Sequence, residues 1–278
     1  MREFFEKLLK IDRRWIFLMV GAALMIPILK PLNLPGLKAS TPVQNLYDYI
    51  EGLPEGSKVL ISFDFDPASK PELEPMGAAI LRHCLRKKLK VVAMTLWVTG
   101  SSLAQRVIER EAKAAGAVYG EDYVYLGWKP GNVAVITGMR EDIHVVFPKD
   151  SMQTDLSKIP MMQEIRRLRD FDLAFSFAAG SPGLDTWIAY GTDKEKIKMG
   201  GGSTAVNVPS MAVFVQSGQL VGFIGALRGA AEYELLMNFS GSATRGMDGI
   251  TVGSYLLAAL IILANVGYLL TRKPKGVS

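Results

Sequence analysis

Apolar positions divide the chain into two terminal runs and a patterned middle. Phe4, Phe5, Leu8, Leu9 and Ile11 mark one side of a basic amphipathic lead, residues 1–14, and an uncharged run follows from Trp15 to Leu29, closed by Lys30 and Pro31. That run is short against the roughly 20 residues a membrane helix needs. It therefore predicts a tilted signal anchor over residues 15–37 that borrows the stretch up to Leu37, because Leu37-Lys38-Ala39 matches a small-x-small cleavage site poorly. Near the other end Ile250 to Leu270 is uncharged and bracketed by Asp248 and by Arg272 with Lys273, which predicts a transmembrane helix over 250–270. Residues 239–249 read as a linker, and residues 271–278 as a basic tail.

Between these runs, residues 41–238 alternate element types. Thr41 to Pro54 reads as a short helix, Lys58 to Phe63 as a buried strand, Glu72 to Lys87 as a helix, Lys90 to Leu96 as a strand and Ser102 to Ala115 as a helix. Tyr123 to Leu126 is a short third strand, Phe171 to Phe177 a fourth and Lys196 to Met199 a fifth, with Pro182 to Tyr190 as the helix between the last two. Gly131 to Met139 and Met161 to Leu168 read as helical, and Pro148 to Pro160 as an irregular connection. Alternating strands and helices imply a parallel sheet, so the expectation is an α/β, Rossmann-like three-layer domain with a mainly parallel sheet of about five strands, flanked by an N-terminal and a C-terminal transmembrane helix.

The stretch from Met199 to Leu227 carries no charge, and Gly218, Gly222, Gly225 and Gly229 fall just where a helix from Gln216 to Leu236 would stack them on one face. Each glycine costs a helix about 1 kcal/mol against alanine, so a stripe of them predicts a groove for another backbone. Those glycines are the expected interface, facing either an element of the same domain or another subunit.

Charge then sets orientation. The formal +5 comes from 32 basic and 27 acidic residues, and Arg2, Lys7, Lys10, Arg13 and Arg14 precede the first run while Arg272, Lys273 and Lys275 follow the second. Both ends then prefer the cytoplasm, which places the middle domain outside it. No basic stripe interleaved with aromatics points to nucleic acid. The single cysteine, Cys84, excludes an intrachain disulfide, and its helical surroundings predict a buried thiol.

In parallel α/β sheets ligands bind at the loops that follow the strands. Asp64-Phe65-Asp66-Pro67-Ala68-Ser69 places two carboxylates just past the first strand, where they can share a magnesium ion. The pair resembles the aspartate pair of haloacid dehalogenase-type phosphatases, with Thr95 as the hydroxyl of that family's second motif; the resemblance implies a magnesium-dependent phosphohydrolase. It departs at Pro67 and Ala68, where that family has glycine and threonine, and no acidic pair follows the fourth strand, because Asp170 and Asp172 lie before it or at its start. The other reading of these residues is a turn in which Asp66 caps Pro67 to Ser69. Thr99-Gly100-Ser101-Ser102, Gly180-Ser181 and the Gly200-Gly201-Gly202-Ser203-Thr204 loop supply small and hydroxyl residues. They make Thr99, Ser101, Gly180, Ser181 and Ser203 candidate ligands for a small polar molecule, although helix capping uses the same residue types.

His83 and His144 belong to no recognisable hydrolase or zinc motif, and His83, beside Arg82, reads as a surface residue of its helix. Glu232, Tyr233 and Glu234 read either as a contact with the membrane surface or a partner or as a solvated helix end. With no complete catalytic set, the sequence supports a non-enzymatic, membrane-anchored scaffold or accessory subunit of an envelope membrane assembly. Its partners would be the lipid bilayer and other membrane-protein subunits or further copies of itself, with no cofactor. A magnesium-dependent phosphohydrolase and a small polar-ligand sensor stand as the alternatives.

Overall fold

The structure is a computed structural model and describes residues 11–271; the basic lead up to residue 10 and the tail from residue 272 lie outside the described residues. The chain divides into two compact units, one of Leu37–Ala243 and one of Met1–Gly36 with Thr244–Ser278.

The larger unit is an α/β fold around six parallel strands in the order β3-β2-β1-β4-β5-β6. They are β1 (Lys58–Asp64), β2 (Lys90–Thr95), β3 (Tyr123–Trp128), β4 (Leu173–Ala178), β5 (Lys198–Ser203) and β6 (Leu220–Gly225). Besides short helical turns at Ile143–Val146 and Asp193–Glu195, the helices among the described residues are, in chain order, α1 (Arg13–Leu29), α2 (Thr41–Glu51), α3 (Lys70–Arg86), α4 (Ser101–Ala115), α5 (Val133–Glu141), α6 (Leu184–Trp187), α7 (Val208–Gln216), α8 (Ala226–Leu236) and α9 (Ser242–Thr271). Strand side chains alternate between faces. Val59, Ile61 and Phe63 of β1 are buried on one face, and Leu60 joins Val92, Met94, Val124, Ile136 and Trp187 in a core cluster on the other.

Two expectations are corrected here. The glycine run at 200–202 is a strand, not a loop, and Gln216 to Leu236 is not one helix: α7 ends at Gln216, β6 follows, and α8 starts at Ala226. Glycine has no side chain, so its spacing reports neither a period of two nor one of 3.6. What these glycines do is admit other groups. Gly200 and Gly222 are partners in register, and a Cβ on either would run into α2, meeting Leu46 Cδ1 at 2.7 Å from Gly200 and Leu46 N at 2.6 Å from Gly222. A Cβ on Gly201 would meet Leu184 at 2.5 Å, and one on Gly202 would meet Met76 at 2.6 Å. The helices thus sit directly on a bare strand. Gly229, inside α8, packs against Ile224, Gly225 faces Val208, and Gly218 (φ +75) has open space around it. The four do not share a helix face, so the groove expected from them does not form. The segment read as helical from Met161 to Leu168 is irregular, with 3₁₀ turns only at its two ends.

In the smaller unit α1 presents Trp15, Phe17, Leu18, Met25 and Leu29 to the outside, and α9 presents Tyr255, Ile261, Ile262, Tyr268 and Leu269. Between the two helices a Cβ on Gly253 would meet Leu24 Cδ2 at 2.8 Å and one on Gly249 would meet Leu24 O at 3.2 Å, the close approach that small residues four apart allow. Asp248, 5% exposed, accepts from the backbone N–H groups of Leu32, Asn33 and Leu34. Among the described residues α9 alone is long and apolar enough to cross a membrane by length and composition. The N-terminal span expected at 15–37 corresponds to the 17-residue α1, which falls short of that length.

Candidate functional site

In this strand order the topology reverses between β1 and β4, and Asp64 stands at that point, paired in register with Ala178. Its carboxylate is fully buried. Oδ1 accepts from Ser62 Oγ at 2.7 Å and Leu96 N at 2.7 Å, and Oδ2 from Ser176 Oγ at 2.9 Å and the Trp187 indole N–H at 3.3 Å. Burial pushes its pKa up to about 6, against the pull of those four donors. One carboxylate thus ties β1, β4, the exit of β2 and α6 together. Asp66 behaves differently: Ser69 N at 2.9 Å and Ser69 Oγ at 2.6 Å both donate to its Oδ1, and these bonds hold its pKa below the usual carboxylate value. This is the turn reading of the loop. A cation shared by the two carboxylates would have to displace donors from a fully buried Asp64. Among the described residues no three His, Cys, Asp or Glu side chains gather to hold a metal ion.

Thr95 is buried with its hydroxyl donating to Phe63 O at 2.7 Å and accepting from Trp97 N at 3.0 Å, so it ties strand ends together. Gly100 has a steric role: a Cβ there would meet Phe65 O at 2.6 Å and Phe63 O at 2.9 Å, so α4 starts pressed against the exit of β1.

The hydroxyl-rich loops separate into two places. Gly180, Ser181 and Ser203 line one cleft of about 170 Å³, together with Asp185, Asn207 and Ser210, between the loop after β4 and the start of α7. Asn207 Nδ2 donates to Ala179 O at 2.7 Å and fixes that edge, while Asp185 caps its own helix through Thr186 N. A larger cavity of about 660 Å³ shares Ser181 and Asp185 and continues past Tyr190, Phe214 and Gln219. Ser101 lies elsewhere, lining a cavity beyond β3, and Thr99 is exposed and lines neither. Asn207, Ser210, Tyr190 and Phe214 were not singled out from sequence; they become visible only once α7 is separated from β6.

The uncharged helix α7 lies along these clefts with Val208, Met211, Phe214 and Val215 partly buried against the core. Val213 is 63% exposed, and Val206 just before the helix is 87% exposed.

The acidic and aromatic residues of α8 correct a further expectation. Tyr233 is fully buried and hydrogen-bonds His83 Nδ1, while His83 Nε2 lies 3.0 Å from Glu51 Oε1. His83 is buried too, not on the surface of α3. Burial depresses its pKa to about 4, against the pull of Glu51, and burial raises that of Tyr233. The neutral imidazole therefore accepts from the tyrosine and donates to Glu51, joining α2, α3 and α8. Glu232 accepts from Ser40 N and Ser40 Oγ, and Glu234 from Gly241 N and Ala243 N. Cys84 is buried and its thiol pKa is pushed up to about 12, as an inert apolar side chain requires.

No protein-family profile and no curated protein matches the sequence. Two solved structures are similar over most of it: the crystal structure of AibC, at 12% identity and a TM-score of 0.30, covering 86% of this chain and 54% of that one, and trehalose-6-phosphate synthase OtsA, at 11% identity and a TM-score of 0.33, covering 89% and 50%. The chain spans about half the length of each, and at such TM-scores neither likeness carries a functional argument.

Proposed function

We propose that this protein is a membrane-anchored α/β scaffold or accessory subunit of an envelope membrane assembly, which works by binding and not by catalysis. The observation that carries this reading is the outward side of the uncharged helix α7, where Val213 and, just before the helix, Val206 stay exposed beside a groove in the larger unit. An apolar surface of that kind is stabilised when a partner covers it. The anchor of the proposal is α9, with the stretch around α1, whose large apolar side chains are exposed, as a second, tilted span. Basic residues before α1 and after α9 favour cytoplasmic termini and an extracytoplasmic α/β unit. The use of Asp64 as a structural tie removes the main support for a phosphohydrolase.

The test is to express full-length protein carrying Val206→Glu and Val213→Glu in a bacterial host and purify it in mild detergent. The expected result is a folded protein that has lost its co-purifying membrane partner or its own oligomer. Retention of every partner and of the native oligomer by the double variant would sink the proposal. A polar-ligand role keeps one specific support, the joint placement of Gly180, Ser181 and Ser203 in a single cleft.

A further inference from the structure

We infer that the cavity beyond β3 binds a small anion of phosphate or carboxylate chemistry that carries a flat ring. The inference is independent of the scaffold reading. The cavity holds about 430 Å³, inside the range of small-molecule sites, and it opens at the post-strand edge of the sheet where β2 and β3 end.

Its lining is positive. Lys129 and Lys149 both contribute, and neither has an ion pair among the described residues, whereas Lys58, Lys90 and Lys158 are paired with Glu164, Asp122 and Asp155. Asp155, which faces Lys149 across a short antiparallel bridge, pairs with Lys158 at 2.8 Å and also feels the charge of Lys149. The one carboxylate in the lining, Asp150, is 2% exposed and already holds three donors: Met152 N and Thr154 N on Oδ1, both at 2.8 Å, and the Tyr119 hydroxyl on Oδ2 at 2.7 Å. Asp150 therefore shapes the turn, and its buried carboxylate stands against two cations in the lining. The excess of positive charge in a concave lining raises the local potential and favours an anion.

Its walls are aromatic. Tyr125 is 3% exposed and anchored through its hydroxyl to Ser101 O at 2.9 Å, and Trp128 is held by its indole N–H on Leu96 O at 3.2 Å while 38% of it stays exposed. Trp128, fixed at its polar tip with part of its ring exposed, suits stacking against a flat group, while the buried Tyr125 backs the wall. The cleft between α6 and α7 lacks this chemistry, because no basic residue lines it.

Isothermal titration of full-length protein in detergent, with phenyl phosphate and with inorganic phosphate as probes, tests the inference. Phenyl phosphate should bind saturably, and Lys129→Gln and Lys149→Gln should each weaken it by about tenfold, that is by about 1.4 kcal/mol. Trp128→Ala should weaken phenyl phosphate more than inorganic phosphate, and Lys113→Gln, on the exposed side of α4, should leave both unchanged. Unaltered melting temperatures would establish that the variants fold. Absence of saturable binding, or binding that survives in the double lysine variant or falls equally in Lys113→Gln, would overturn the site; equal effects of Trp128→Ala on both probes would overturn the ring.

Discussion

Asp64 and His83 are buried in opposite senses, and their titrations oppose each other. Asp64 holds its proton more tightly when folded, up to about pH 6, so it contributes stability below the unfolded value near 3.8 that is lost as pH rises through 6. His83 resists protonation down to about pH 4, so its contribution is present above the unfolded value near 6.5 and is lost as pH falls toward 4. Each shift is worth about 3 kcal/mol. Across pH 4 to 6 the two slopes nearly cancel. Relative to wild type, Asp64→Asn should therefore gain stability with rising pH over that window, and His83→Gln should lose it, read from denaturant melts followed by tryptophan fluorescence. Difference curves that stay flat for both variants would show that neither group titrates as its burial requires. The sequence marked Asp64 as chemically special but for the wrong reason. Its four donors come from β1, β4, the β2 exit and α6, and only folding brings those together.

Elements were legible where side chains carry the pattern. The strands β1, β2, β3 and β4 fall close to their apolar runs, because buried parallel strands are near-continuous Val, Ile, Leu and Phe. β5 was legible only at its start, Lys198 and Met199, and β6 was hidden by its glycines. Lys-Met-Gly-Gly-Gly-Ser has almost no side chain to alternate, and the spacing of Gly218, Gly222, Gly225 and Gly229 imitates a helix stripe although a strand and a turn intervene. The real reason for Gly222 is α2, and it sets a sharp expectation. A methyl group at 222 would meet the Pro42 carbonyl oxygen at 2.6 Å as well as Leu46, and backbone cannot swing aside as a side chain can. Gly222→Ala should destabilise the folded unit by about 1–3 kcal/mol, the usual range of overpacking. Gly225→Ala, whose nearest neighbour is a Val208 methyl at 3.0 Å, should cost much less. Thermal melts in which the two variants behave alike would contradict this seating of α2. The candidate site was legible only in fragments: Ser101, Gly180, Ser181 and Ser203 all line cavities, but nothing in their spacing separates the cavity beside α4 from the one beside α7.

At the scale of the whole chain, the helix seated on bare glycines has a consequence for the order in which the protein is made. The first three strands and the helices between them come from one continuous stretch, residues 58–128. In contrast α2, with Val43, Leu46 and Ile50 buried, is covered largely by β6 and α8, with Gly200 of β5 against Leu46, and these are synthesised much later. Contacts between such distant segments are slow to form and leave apolar surface uncovered meanwhile. A nascent chain that has reached Met199 therefore carries a ready-made half sheet and an orphaned apolar helix. Stalled ribosome complexes of increasing length should show Thr41–Glu51 open to protease until the stretch through Leu236 has emerged; protection before β6 exists would refute it. Since α9 follows within a few residues, the α/β unit is complete before that long apolar helix is, and the interval in which a partner or chaperone must shield α2 closes ahead of it.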